Sequence, residues 1–145
     1  MQRFRVASVV LSSILFLSAC ASAAEVQLAP ESQLPAFLAT SAPRVRDAYR
    51  FALANAHALE TAPCYCGCGA MGHTSNLDCF LQNDGREGGA PIFDQHAAGC
   101  GICVDIAQDV KRMMAEGQAP GVIRQFVDAT YDSFGPATDT PLPAH

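Results

Sequence analysis

The sequence contains no tryptophan, and its 9 lysine and arginine residues face 14 aspartates and glutamates. Each shortage excludes a class of partner. Nucleic-acid binding needs cations that displace phosphate counterions and aromatic rings that stack on bases. This chain offers neither in a patch. The signatures of common enzymes are missing too: no nucleophile elbow, no phosphate-binding glycine loop and no zinc-protease helix. There is no Cys-x-x-Cys-His for covalent haem. No stretch alternates apolar and polar residues as a half-buried strand would, and no internal repeat is visible.

The N-terminus reads as a processing signal. Arg3 and Arg5 form a positive start, and Val6 to Leu17 form an apolar run too short to span a bilayer with ease. Leu17-Ser18-Ala19-Cys20 follows, which resembles the bacterial lipobox. There, small residues precede a cysteine that is acylated and becomes the new N-terminus. The competing reading is an ordinary secretory signal cut after Ala23. Both export the chain. The expected product is an extracytoplasmic protein held to a bacterial membrane by lipid, such as palmitate, on Cys20. Several acyl chains anchor stably where one is marginal. Loss of Arg3 and Arg5 leaves 7 basic against 14 acidic residues, a net charge of −7. That balance favours solubility and mildly favours cations.

Four segments result: a signal peptide at 1–19, a lipid-anchored tether at 20–42, a cysteine-rich α-helical domain at 43–135 and a loose tail at 136–145. The tether is rich in Ala, Ser, Pro and Glu, with Leu34 to Leu38 able to pack on the domain. The first helix is expected from Pro43 to Leu59, capped by Ser41. Val45, Tyr49, Ala52, Ala56 and Leu59 fall on one face, and Pro63 stops the helix. Residues 64–75 are a loop of cysteine and glycine. Ser75-Asn76-Leu77-Asp78 fits a capping box opening a short helix through about Asn83. A loop with Gly85, Gly88 and Gly89 follows. Ile102, Ile106, Val110 and Met113 mark a helix from Gly101 to Glu116, with Gly117 as its stop. Pro120 begins the last helix, patterned by Val122, Ile123, Phe126, Val127, Thr130 and Tyr131 and ended at Gly135-Pro136. The fold class is therefore all-α: a small bundle of about three helices plus one short helix and a Cys/Gly-rich loop. A domain of about 90 residues has a marginal core and gains from a staple.

The cysteines carry the chemistry. With Cys20 set aside, Cys64, Cys66, Cys68, Cys79, Cys100 and Cys103 remain, all at element ends. Cysteines two apart rarely bond to each other. They share no helix face, and on a strand they lie too far apart for one site. The sulfurs of Cys64, Cys66 and Cys68 converge only if the loop curls, which Gly67 and Gly69 permit. Converging thiolates suit Cu(I) or Zn(II). Cys100 and Cys103 form a Cys-x-x-Cys at a helix start, where the N-terminus favours thiolate on Cys100. His73 and His96 flank these pieces as candidate ligands, although a loop histidine is more often plain surface. Met71 offers a thioether but more often such a residue packs. Met113 and Met114 read as core, and His57 and His145 as surface. Asp94, Asp105 and Asp109 read as caps or solvated charges.

Pro63 to Cys68 spells PCYCGC. Gly72-His73, Ser75-Asn76 and Asp78-Cys79-Phe80 follow, then Phe93-Asp94, His96 and Gly99-Cys100-Gly101-Ile102-Cys103. This resembles the bacterial PCYCGC-motif lipoprotein family over about residues 63–135. The resemblance implies the cysteine constellation and the lipid anchor, and it implies no activity. The leading expectation is a lipid-anchored protein binding Cu(I) or Zn(II), as carrier, buffer or structural site, with a partner protein for metal transfer. The ligands expected are Cys64, Cys66, Cys68, Cys100 and Cys103, then Cys79, then His73 and His96. One alternative is a disulfide-stapled interaction module, since exported small domains use such bonds at about 2–4 kcal/mol each. The other is a thiol–disulfide oxidoreductase on Cys100 and Cys103, which the lack of strands disfavours.

Overall fold

The computed structural model describes residues 26–144. The proposed signal peptide and Cys20 lie outside them, as does His145. Helix α1 spans Pro43–Ala54, α2 Ala56–Glu60, α3 Gly101–Ala115 and α4 Pro120–Tyr131. A two-stranded antiparallel hairpin joins β1 (Leu81–Asn83) to β2 (Ile92–Phe93), with Leu81 opposite Phe93. Single 3-10 turns fill the connections. The chain is thus mostly helical, as the periodicity indicates. Among the described residues, no helix is long and apolar enough to cross a membrane.

Helix α3 packs between α1 and α4. It buries Val104, Ile106, Ala107, Val110 and Met113 in the core, against Ala48, Tyr49, Phe51 and Ala52 of α1 and Ile123, Val127 and Tyr131 of α4. Polar bonds fix the register at the seams. Tyr131 donates to Asp109 Oδ2 at 2.7 Å, Gln108 donates to Asp47, and Lys111 pairs with Asp47. At the end of α3, Gly117 at φ 74° donates to Met114 O and Gln118 donates to Met113 O. These two bonds form a Schellman stop.

Four features differ from the sequence reading. The first helix breaks at Asn55, which is non-helical at φ −133°, ψ 42°. Its buried amide donates to Phe51 O and to Gln27 O, so the side chain competes with the helix for backbone partners. Ala42, not Ser41, stands at the N-cap, and no side chain caps that end. The short helix expected through Asn83 is a 3-10 turn at Leu77–Cys79 running into β1. Half of the capping box does form: Asp78 Oδ2 accepts from the backbone of Thr74 and Ser75. The last helix ends at Tyr131, four residues before Gly135.

The segment read as a tether packs on the domain from Val26 onward. Ala29 and Arg50 exchange bonds, the Ala29 amide donating to Arg50 O at 3.1 Å and Arg50 Nε to Ala29 O at 2.6 Å. Leu38 is fully buried, and Phe37 sets its ring edge-on to Tyr49 at 6.0 Å between centroids. Tyr49 also meets Phe80 edge-on at 5.0 Å. We expect Leu38→Ala to lower stability by about 2–5 kcal/mol, the range for emptying a buried leucine site. Urea unfolding checks this, and an unchanged midpoint would make the segment a mere tether.

Candidate metal centre

The PCYCGC loop leaves α2 at Thr61 and passes through the protein interior. Cys64 and Tyr65 are buried, and the Tyr65 hydroxyl donates to Asp128 Oδ1 on α4 at 2.7 Å. The Cys64 amide donates to Thr138 Oγ1 at 2.8 Å, and the Thr138 amide donates back to Cys64 O at 3.0 Å. Gly67 then adopts φ 86°, a left-handed turn that a β-carbon would strain. It reverses the chain into a 3-10 turn at Cys68–Met71, so Cys68 points back toward Cys64. Curling is thus achieved as the spacing requires.

Three other elements bring their side chains to this loop. Cys79 ends the Leu77–Cys79 turn, His96 opens the turn at His96–Gly99, and Cys103 lies in the first turn of α3. Sulfur contacts run from Cys64 to Cys66 at 3.4 Å, Cys64 to Cys103 at 3.5 Å, Cys66 to Cys103 at 3.6 Å and Cys68 to Cys79 at 3.6 Å. His96 Nε2 lies 3.3 Å from Cys66 Sγ, and His73 Nδ1 lies 3.4 Å from Cys79 Sγ. The two imidazoles meet edge-on at 5.4 Å between centroids. Cys64, Cys68, Cys79 and Cys103 form a buried floor, with Cys66, His73 and His96 as a half-buried rim.

The supports are as specific as the ligands. Asp94 Oδ1 accepts from the His96 amide at 2.7 Å, and Asp94 O accepts from the Tyr49 hydroxyl at 2.8 Å. Asn76 is fully buried and donates from Nδ2 to Cys103 O at 3.3 Å, while its Oδ1 has no partner among the described residues. Sequence reasoning left Asp94 among caps and missed Asn76, Thr138 and the Tyr65–Asp128 bond. Asp94 two residues before His96 is the one available signal, an Asx turn onto a candidate ligand.

The sulfurs share their protons unequally. Hydrogen bonds from Cys103 and Cys79 hold the Cys64 thiol far below its ordinary range. Cys103, bonded to the Cys64 sulfur, is pushed far up. Burial raises Cys66 and Cys68. For Cys79 the bond to Cys103 pulls down, but the bond to Cys64 and burial outweigh it. A thiolate on any one of these sulfurs disfavours ionisation of its neighbours. A bound cation removes that repulsion and releases the remaining protons.

Two sets of donors lie close enough to hold an ion. Cys64, Cys66, Cys68 and Cys79 form one, and Cys66, Cys79, His96 and Cys103 the other, each with all ligand atoms within 4.8 Å of one another. Ligands at about 2.3 Å from a tetrahedral zinc stand about 3.8 Å apart, so both sets need only small adjustments. All six described cysteines are free, and their nearest sulfurs are well beyond the disulfide length of about 2.05 Å. Cys100 belongs to neither set: it is the half-buried N-cap of α3, beside Arg44 and Val45 of α1. Met71 is 58% exposed, whereas Met113 packs in the core.

The segment read as a loose tail closes the loop from outside. Thr138 is buried, and Thr140 Oγ1 donates to Thr74 O at 2.6 Å. Arg124 holds this strap by donating to Thr140 O at 3.2 Å. At Gly135 an added β-carbon would stand 2.9 Å from Tyr65 O, so only glycine lets the strap lie this close. Thr138→Val should leave the buried Cys64 amide without an acceptor and cost about 1–3 kcal/mol, with Thr138→Ser retaining most of that. Equal urea midpoints for Thr138→Val and the wild type would remove the strap from the account.

The family model described as "Protein of unknown function with PCYCGC motif" matches residues 16–143, which include every ligand candidate and the strap. No curated protein and no solved structure matches the chain. With most of its length matched by that one model, the chain belongs to the PCYCGC-motif family.

Proposed function

We propose that this protein is a lipid-anchored, extracytoplasmic carrier or buffer for a soft metal ion, Cu(I) or Zn(II). The observation that carries the reading is the convergence of five cysteine sulfurs and two imidazoles with no sulfur pair at bonding distance. Thiolate and imidazole are the donors that both ions accept. The half-buried rim of Cys66, His73 and His96 favours an exchangeable ion over a sealed structural one. It also suits hand-over to a partner protein that offers thiolates of its own. Cys20 would fix the chain to the membrane, and the family match, beginning at residue 16, takes it in. The acidic surface leaves nucleic acid outside the range of partners.

The other readings fit less well. A disulfide-stapled module needs sulfurs paired, and here they are free and share contacts among several neighbours. A thiol–disulfide oxidoreductase needs an accessible attacking sulfur beside its resolving partner. Cys103 is fully buried within the cluster, and Cys100 stands outside it.

Metal and free thiols counted on one sample of purified protein test the function. Stoichiometric copper or zinc is expected in the wild type and is abolished in Cys66→Ser/Cys68→Ser. Cys100→Ser should keep the metal unchanged. Metal retained by the double variant would show the loop to be no site. The anchor has its own test in membrane fractionation: Cys20→Ser should release the protein from the membrane fraction, and continued sedimentation with membranes would count against lipid attachment.

A further inference from the structure

We propose that the cluster holds two metal ions at once, bridged by the thiolates of Cys66 and Cys79. The proposal rests on the soft-metal reading above and deepens it. Its first support is the inventory of donors. One four-coordinate ion uses four, yet seven converge here: five sulfurs and two ring nitrogens. A lone ion in the first set would leave Cys103 and His96 idle, and a lone ion in the second would leave Cys64 and Cys68 idle. Cys64, Cys68 and Cys103 are all buried, and among the described residues nothing outside the cluster employs their sulfurs.

The second support is the way the sets overlap. They share two members, Cys66 and Cys79, so two tetrahedra built on them share an edge. A thiolate sulfur keeps lone pairs after binding one ion and can bind a second. Cys64 and Cys68 then complete one ion, and Cys103 and His96 complete the other. The 3.5 Å contact between Cys64 and Cys103 shows that the two halves abut. His73, against Cys79, stands beside a bridging sulfur as a reserve donor on the rim.

Charge gives the third support. Five thiolates carry five negative charges into a largely buried site, and among the described residues no lysine or arginine donates to any of these sulfurs. Burying charge without compensation is costly. A divalent ion on the four thiolates of the first set leaves two negative charges, whereas two divalent ions on all five thiolates leave one. The second ion therefore lowers the buried charge that the first leaves.

The test is a count of ions followed by a distance. The reduced full-length protein, extracted in detergent, is loaded under anaerobic conditions with Zn(II), and separately with Cu(I), in the presence of a competing chelator. Two ions per chain are expected for the preferred metal. X-ray absorption of that form should show sulfur neighbours and a second metal at about 3 Å, the separation across an edge shared by two such tetrahedra. Cys103→Ser should lower the count from two to one, and Cys66→Ser or Cys79→Ser should lose both ions. Saturation at one ion, saturation at three or more, or two ions with no metal neighbour overturns the bridged pair but spares the metal-binding reading. If neither Zn(II) nor Cu(I) is retained, the metal-binding reading itself falls. Should a variant fail to fold by circular dichroism, the wild-type count and metal–metal distance still decide.

Discussion

Mutual contact among five sulfurs inside the protein is the constraint on which the rest depends. Thiols at 3.4–3.6 Å can share protons, but they cannot all ionise beside one another without a cation. Four of the five are as buried as the leucines and valines around them, so the cluster is also part of the core. An ion held here would draw on the same residues as folding does, and one bound only by the folded chain would stabilise it.

The scaffold fixes the site by tying its backbone to side chains near and far along the chain. Cys64 is clamped through Thr138, Cys103 through α3 and the Asn76 amide, and His96 through Asp94. Asp94 also receives the Tyr49 hydroxyl and donates its own amide to Phe80 O. The aromatic core and the imidazole ligand thus share one anchor. Such supports reduce the freedom lost when an ion binds, which is how a site gains affinity without added contacts.

The main helices were legible because each buries a face that repeats at helical spacing. Val110 and Met113 on α3, and Ile123 and Val127 on α4, stand where the period puts them. The break at Asn55 was not legible, since its cause is a carbonyl at Gln27 that no local pattern announces. The hairpin escaped notice because its strands are three and two residues long, too short to alternate. At the site, the curl of the PCYCGC loop followed from sulfur chemistry and glycine. Which half of the Cys-x-x-Cys faces inward did not follow, because a helix start at Gly101 does not by itself say which end of the pair meets the loop. The structure leaves Cys100 on the helix cap and sends Cys103 into the cluster. Within residues 26–42 only Leu34 to Leu38 read as able to pack, as they do; the rest of that segment and the strap depend on remote partners.

The clamp between Cys64 and Thr138 spans 74 residues of sequence. A chain made N-terminus first presents its cysteine loop well before the segment that closes over it. Until then the loop lacks its backbone partners, and its sulfurs have no fixed spacing. The order of arrival therefore makes the centre the last part of the fold to mature. A correctly assembled site therefore requires that the strap has followed its loop into the fold.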